Sequence, residues 1–295
     1  MEQDERLFIE GAKRRVEQLI RQKVWQGIDQ ARFRSWFEQF ESRDCELLGA
    51  CLLDNLIFRS REQVESLIKA AMTSSELIGP KAQTDDEIVV ALRGRKDPHV
   101  RLSPVIRLDQ PPTKSGPYIL RRLAKSLHLN EGWMSWPQRL CDEPVSVNMI
   151  ILVDDFCGTG EQFSEFVKKT GFLEFMNSRS DCRIAYVTVA AHEKGMARIK
   201  ELYPKIEIIA GEVLNNEHHF FDGNVIKRIK VDLVNERLKT DYDKIAREVD
   251  LGGRRIGPMG FDGQALSYAF EHGTPNNTLP IYWYQNEQWS SLVDR

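Results

Sequence analysis

The sequence predicts an α/β fold: a parallel sheet flanked by helices, with a helical appendage at the N-terminal end. Three observations carry this. Apolar runs at 150–153, 183–190 and 206–210 alternate with helix-forming stretches of ten or more residues, the pattern of right-handed crossovers between parallel strands. The first 75 residues show helical faces instead. The first of the apolar runs opens Ile150-Ile151-Leu152-Val153-Asp154-Asp155-Phe156-Cys157-Gly158-Thr159-Gly160-Glu161-Gln162-Phe163, which reads as a buried strand, two acids, a Gly-rich turn and a helix start. Glycines around a threonine let the backbone bend tightly and aim N–H groups at an anion.

Composition limits the rest. The 295 residues suffice for one α/β domain plus a smaller one, and a net charge of −3 gives no general attraction to nucleic acid or anionic lipid. The 5 cysteines are scattered without a Cys-x-x-Cys pair, which argues against a zinc site or a disulfide framework. The charged N-terminus and the lack of any apolar run of about 18 residues lead us to expect a cytoplasmic protein with no membrane association.

In chain order, Phe33, Trp36, Phe37 and Phe40 fall at i, i+3, i+4 and i+7 behind an Asp29 cap, predicting a helix with a core-facing aromatic stripe. Leu47, Leu48, Cys51 and Leu52 form a second such face. Ser60 and Gln63 form a capping box ahead of Val64, Leu67, Ile68 and Ala71. Trp25 and Trp36 are expected to pack within this bundle. Residues 79–100 are polar and broken by Gly79-Pro80, Gly94 and Pro98, so the domain boundary is drawn here: 1–78 as the helical N-terminal region, 79–295 as the catalytic-type domain. Arg93, Arg95 and Lys96 read as a solvated charge cluster.

A strand over 100–108 leads through a Pro-rich loop to Ser115-Gly116-Pro117 and a helix ending at Leu127. After the acidic turn come a helix to about Asn177, a strand from Arg183, a helix over 194–203 and a strand from Ile206. Residues 215–250 are charged and mostly helical, expected as a hood, with partial faces at Val225, Ile226, Ile229, Leu233, Ile245 and Val249. Adjacent His218 and His219 diverge on any regular backbone, so they read as a partly exposed pair and not as metal ligands. The tail holds a strand over 265–270 and the turn-rich block His272-Gly273-Thr274-Pro275-Asn276-Asn277-Thr278-Leu279-Pro280-Ile281-Tyr282-Trp283, whose Asn276 and Asn277 suit either a loop over the pocket or a structural Asx turn.

The letters of the acidic turn exclude two nucleotide folds. No lysine lies between Asp154 and Lys168, so the turn is not a Walker A loop, and Phe163 stands where a dinucleotide fingerprint needs a small residue. Two readings remain. Asp154-Asp155-Phe156-Cys157-Gly158-Thr159-Gly160 resembles the phosphoribosyltransferase signature, in which the acids face the ribose hydroxyls near Mg²⁺ and the turn amides and threonine hold a 5′-phosphate. It also resembles the S-adenosylmethionine motif of nucleic-acid methyltransferases, with Asp155 at the place of a proline. Against the second, the strand running to His192 ends without a ribose-binding acid and Pro111-Pro112 is followed by threonine. A tight turn with no ligand is the plain alternative for a lone Gly-x-Gly. Adjacent carboxyls at the buried end of a strand weigh against it, because unpaired they cost free energy.

Taken with Trp36 to Phe40, the run Thr274-Pro275-Asn276-Asn277-Thr278-Leu279-Pro280 and the closing Trp289 and Arg295, the chain resembles the PRTase-CE family of phosphoribosyltransferase-like effectors of bacterial conflict systems. The resemblance implies an effector or toxin in anti-phage defence, in some systems alongside a retron reverse transcriptase and its non-coding RNA. It implies a ribose-5-phosphate compound or nucleotide as ligand, Mg²⁺ arriving through that ligand, and transfer or hydrolysis at C1′. Asp154 and Asp155 would be catalytic; Gly158, Thr159, Gly160, Glu161 and Gln162 would bind the phosphate, and Ser115 and Gly116 the leaving group. The alternative is a non-catalytic nucleotide-binding or protein-interaction module of a defence complex. The chain departs from phosphoribosyltransferases in placing Glu161-Gln162 where they carry a small residue and a threonine. A carboxylate about 5 Å from a phosphate repels it by roughly 1 kcal/mol or more, although an acid is welcome in the first turn of a helix. The departure weighs against phosphoribosyl pyrophosphate and leaves a nucleotide or another ribose phosphate.

Overall fold

A computed structural model describes residues 2–74, 77, 87–107, 109–111, 113–222 and 234–295. Contacts divide the chain into two compact units, Met1–Arg61 with Asn215–Arg295, and Glu62–Leu214. The boundary drawn at 78/79 lies outside the described residues, as do Gly79-Pro80, Leu108, Val225, Ile226, Ile229 and Leu233.

The first unit opens with α1 (Glu2–Arg21), α2 (Gln30–Glu41) and α3 (Glu46–Asn55). Asp29 caps α2 by accepting the Arg32 amide at 2.7 Å, and the whole aromatic stripe of α2 is buried. That face closes one core with the leucines of α3 and with Trp25. After α3 the chain runs into a short strand, β1 (Ile57–Arg59), which no sequence signal marked.

The second unit starts on α4 (Arg61–Met72), whose Val64, Ile68, Ala71 and Met72 are buried, and continues with α5 (Glu87–Arg93). Then come β2 (Val100–Pro104), α6 (Ser115–Leu127), β3 (Met149–Cys157), α7 (Glu161–Lys169), α8 (Phe172–Ser178), β4 (Arg183–His192), α9 (Glu193–Leu202) and β5 (Ile206–Leu214). The four strands form a wholly parallel sheet in the order β2-β3-β4-β5. The central strands β3 and β4, buried on both faces over most of their length, carry continuous apolar runs, whereas the edge strand β5 is half-buried at most positions. The helix expected to reach Asn177 is two helices, because Gly171 adopts φ 74° and breaks the ladder after α7. The phenylalanines of α7 and α8 then share one core with Ile150, Leu152, Ile184, Tyr186 and Ile206. Gly211 of β5 marks where the α4 backbone presses closest: a Cβ there would lie 2.4 Å from the Leu67 carbonyl oxygen. Arg93, from the charge cluster, donates to the Leu127 carbonyl oxygen at 2.7 Å and so ties α5 to the end of α6.

The chain returns to the first unit through Asn215. His218 Nδ1 lies 2.9 Å from Asn215 Oδ1 and His219 Nδ1 accepts the Phe221 amide, so both histidines serve their own turn. α10 (Val234–Glu248) buries Leu238, Tyr242 and Ile245 against α3. β6 (Tyr268–Phe270), three residues long within the span where a longer strand was expected, pairs in parallel with β1. Among the described residues no helix is long and apolar enough to cross a membrane.

Candidate functional site

β3 lies between β2 and β4, and its two neighbours differ in length. β2 ends at Pro104, opposite Val153, whereas β4 accompanies β3 as far as Cys157. The acidic pair therefore stands just where β2 has stopped, and the start of α6 comes in on that side. Gly116 makes this approach possible, since a Cβ there would lie 3.1 Å from the Val105 carbonyl oxygen. Ser115 Oγ donates to Asp155 Oδ1 at 2.8 Å. The structure thus brings together Ser115-Gly116 and the acidic turn, two segments that the sequence separates by about forty residues.

The two acids have unlike surroundings. Alternation along β3 places Asp154 on the face of Ile150 and Leu152, in register with Thr188, and it is 1% exposed. Its Oδ1 accepts the Asp155 amide at 3.0 Å, and its Oδ2 accepts Tyr186 Oη and Gln162 Nε2, each at 3.3 Å. Burial, followed by the charge of Asp155 and a hydrogen bond with it, holds the Asp154 pKa well above the usual carboxylate range; burial outweighs the donors that favour the anion. Around it, burial also pushes the Cys157 thiol up to about 12 and raises the Tyr186 phenol, with Asp154 the next cause for both. Asp155 is half-buried, and its Oδ1 accepts the Phe156 amide at 2.8 Å as well as the Ser115 hydroxyl.

The turn beyond β3 is tightly seated. Gly160 has φ 72°, and a Cβ on it would lie 3.0 Å from the Gly195 carbonyl oxygen. From the other side, a Cβ on Gly195 would lie 2.7 Å from the Gly158 carbonyl oxygen. The glycines of the turn and the one near the start of α9 interlock, and neither partner tolerates a side chain without movement. Thr159 Oγ1 accepts the Glu161 amide at 3.4 Å, and Ser164 donates its amide and hydroxyl to the Gly160 carbonyl oxygen. Glu161, half-buried, opens the first turn of α7, while Gln162 is exposed apart from its reach to Asp154. A helix start of this kind presents backbone amides that the helix itself does not use.

Asn276 and Asn277 belong to the other unit. The carbonyl oxygen of Asn276 accepts the Phe261 amide at 2.7 Å, Asn277 Nδ2 donates to the Phe261 carbonyl oxygen at 3.2 Å, and the Asn277 carbonyl oxygen accepts the Leu266 amide. Both are engaged in holding their own block. A hollow of about 640 Å³ lined by Arg32, Ser35, Trp283, Ser290, Asp294 and Arg295 also lies within that unit.

Sequence reasoning did not single out Tyr186, Thr188, Gly195 or Arg107. Tyr186 and Thr188 were legible in principle, as alternate residues of a strand beside the acids. Arg107 pairs with Asp109 and with Glu165 of α7, and so joins the loop after β2 to the helix that starts at the turn. Among the described residues no group of three or more His, Cys, Asp or Glu side chains is arranged to hold a metal ion.

The PRTase-CE family model matches residues 33–295. The chain belongs to the PRTase-CE family. The match takes in Trp36, the acidic turn and the whole tail, all the segments on which the resemblance stood. Among solved structures, this PRTase-CE chain is similar to the AQ2163 protein from Aquifex aeolicus (14% identity over 57% of this chain and 84% of that one, TM-score 0.29). It is also similar to orotate phosphoribosyltransferase from Aeropyrum pernix (10% identity over 49% and 73%, TM-score 0.27). No curated protein matches the sequence.

Proposed function

We propose that this PRTase-CE protein is an effector of bacterial anti-phage defence that binds a ribose-5-phosphate compound or nucleotide at the Asp154–Gln162 turn and acts at C1′. The observation that carries the reading is the Ser115–Asp155 hydrogen bond, because it sets a helix start, an acid pair and a Gly-rich turn around one point at the carboxyl ends of parallel strands. In this reading the amides of Gly158, Thr159, Gly160, Glu161 and Gln162 take the 5′-phosphate. Ser115 and Gly116 face the leaving group, and the carboxylate that the acidic turn presents meets the ribose hydroxyls and stabilises positive charge developing at C1′. The described residues hold no cluster built for a cation, so Mg²⁺ would travel on the oxygens of the ligand and supply charge neutralisation there. A reverse transcriptase with its non-coding RNA, or another defence protein, is the proposed partner.

A second reading has its own support. Glu161-Gln162 and the burial of Asp154 both weaken the case for turnover and suit a nucleotide-binding module that reports to another protein.

One experiment separates these outcomes. Purified protein is mixed with Mg²⁺ and a panel of nucleotides, ribose 5-phosphate and phosphoribosyl pyrophosphate, and free base, new products and bound ligand are measured. Release or transfer at C1′ by the native protein, lost in Asp155→Asn, is the expected result. Saturable binding without turnover establishes the module instead, and neither binding nor turnover across the panel overturns the ligand reading.

A further inference from the structure

We infer that Asp154 is a positioning residue, which holds the Gly158–Gly160 turn in shape through Tyr186 and Gln162, and that Asp155 alone of the pair presents its carboxylate to the ligand. The inference rests on the reading of this turn as the ligand cradle. Its ground is the placement of the two side chains. Asp154 is 1% exposed and engages three donors from three places: the Asp155 amide on its own strand, the Tyr186 hydroxyl on β4 and the Gln162 amide on α7. A carboxyl so enclosed has no open side on which to meet a ribose. Asp155, half-buried, turns instead toward Ser115 at the start of α6.

The surroundings also tell which form of Asp154 the fold accepts. Its neighbours are the Asp155 carboxylate, the Cys157 thiol and the Tyr186 phenol, and no cation is among the causes acting on its charge. A protonated carboxyl relieves the crowding of two negative groups on adjacent residues. The Asp155 carboxylate, which shares a hydrogen bond with Asp154, is an acceptor for the proton of a neutral acid, and equally for the Nδ2 of an asparagine. An amide in place of Asp154 therefore satisfies the pocket, whereas an amide in place of Asp155 removes the charge that the ligand meets.

The test compares the native chain with Asp154→Asn, Asp154→Ala, Gln162→Ala and Asp155→Asn in two measurements on the full-length protein. Hydrogen exchange of the amides at 157–164 reports the turn directly. We expect Asp154→Ala and Gln162→Ala to speed it by about five- to tenfold, the loss of one or two hydrogen bonds, and Asp154→Asn and Asp155→Asn to leave it unchanged. Gln162 is exposed, so its variant stays folded if Asp154→Ala does not. Calorimetric titration with ribose 5-phosphate in Mg²⁺ reports the ligand. Asp154→Asn should bind within about threefold of native and Asp155→Asn at least about tenfold more weakly, as expected for loss of a charged hydrogen bond. Asp154→Asn as weak as Asp155→Asn with unchanged exchange would overturn the inference, since Asp154 would then touch the ligand. Unchanged exchange in Gln162→Ala and Asp154→Ala would overturn it too. If the native chain binds no ribose 5-phosphate or any other member of the panel, the cradle reading fails while the exchange comparison still decides what Asp154 holds.

Discussion

Two neighbouring carboxyls at the end of an apolar strand cannot both ionise without mutual repulsion and a large loss of hydration. In this chain the conflict is resolved by placing one inward and one toward the start of a helix. The inward one has a consequence for stability. Because Asp154 is raised above its unfolded value, the folded state binds more protons than the unfolded chain over the interval between the two values. Its contribution is therefore fully present below the ordinary carboxylate value, about 3.9, and is lost as pH rises toward the raised folded value. Urea unfolding at a series of pH values checks this: native stability should fall with rising pH across that window, and Asp154→Asn should flatten the slope. A slope that Asp154→Asn leaves unchanged would place the titration elsewhere. Asp97 runs the opposite way. The Arg101 hydrogen bond holds it down to about 2, so its contribution is lost as pH falls, and the two effects occupy different ends of one pH series.

At the scale of elements, the Gly-rich turn is explained as much by packing as by ligand binding. Gly160 needs its left-handed φ, and Gly195 faces the turn at a distance that excludes a side chain. Gly195→Ala should therefore destabilise the protein by about 1–3 kcal/mol, the usual cost of overpacking a well-filled contact, read as a lower urea midpoint with an unchanged m-value. A stability equal to native would mean that the loop and α9 can move apart without loss. This interlock shows where sequence reading stops. The strand, the acids and the turn were legible because their spacing is local: an apolar run, two carboxyls and a Gly-x-Gly. Ser115-Gly116 was legible as a helix start. That Gly195 and Tyr186 complete the site was not, because each lies more than thirty residues from Asp154 or the turn and reads alone as an ordinary helix or strand residue. The break at Gly171 was missed for a related reason: Phe166, Phe172, Phe175 and Met176 look like one continued apolar face across it.

For the whole molecule, the decisive fact is that the first and last parts of the chain make one unit. Trp36 of α2 and Trp289 near the end both donate to the Ile281 carbonyl oxygen, at 2.9 and 3.0 Å, and Tyr282 Oη reaches the Leu52 carbonyl oxygen at 2.8 Å. β1 and β6 pair with each other, and Arg32 binds Ser291 and Asp294. The N-terminal helices were read as a separate appendage because their periodicity is self-contained. The pairing with the tail depends on contacts more than two hundred residues apart, for which a single sequence carries no local mark. The tail's Thr-Pro-Asn-Asn-Thr-Leu-Pro run, informative as a family signature, works within this unit as a turn: Asn277 is buried and bonded to Phe261, and Thr278 to Tyr268. Removing residues 2–59 should then leave Leu279, Ile281, Tyr282 and Trp289 without the helices that bury them. An apolar surface of that kind binds hydrophobic dye and drives association. The truncated chain should show a red-shifted tryptophan emission and concentration-dependent aggregation, and co-expression of residues 1–61 as a separate chain should restore solubility by rebuilding the shared core. If the truncated chain is monomeric with native-like emission, the tail folds without its N-terminal partner and the first unit is not a single cooperative body.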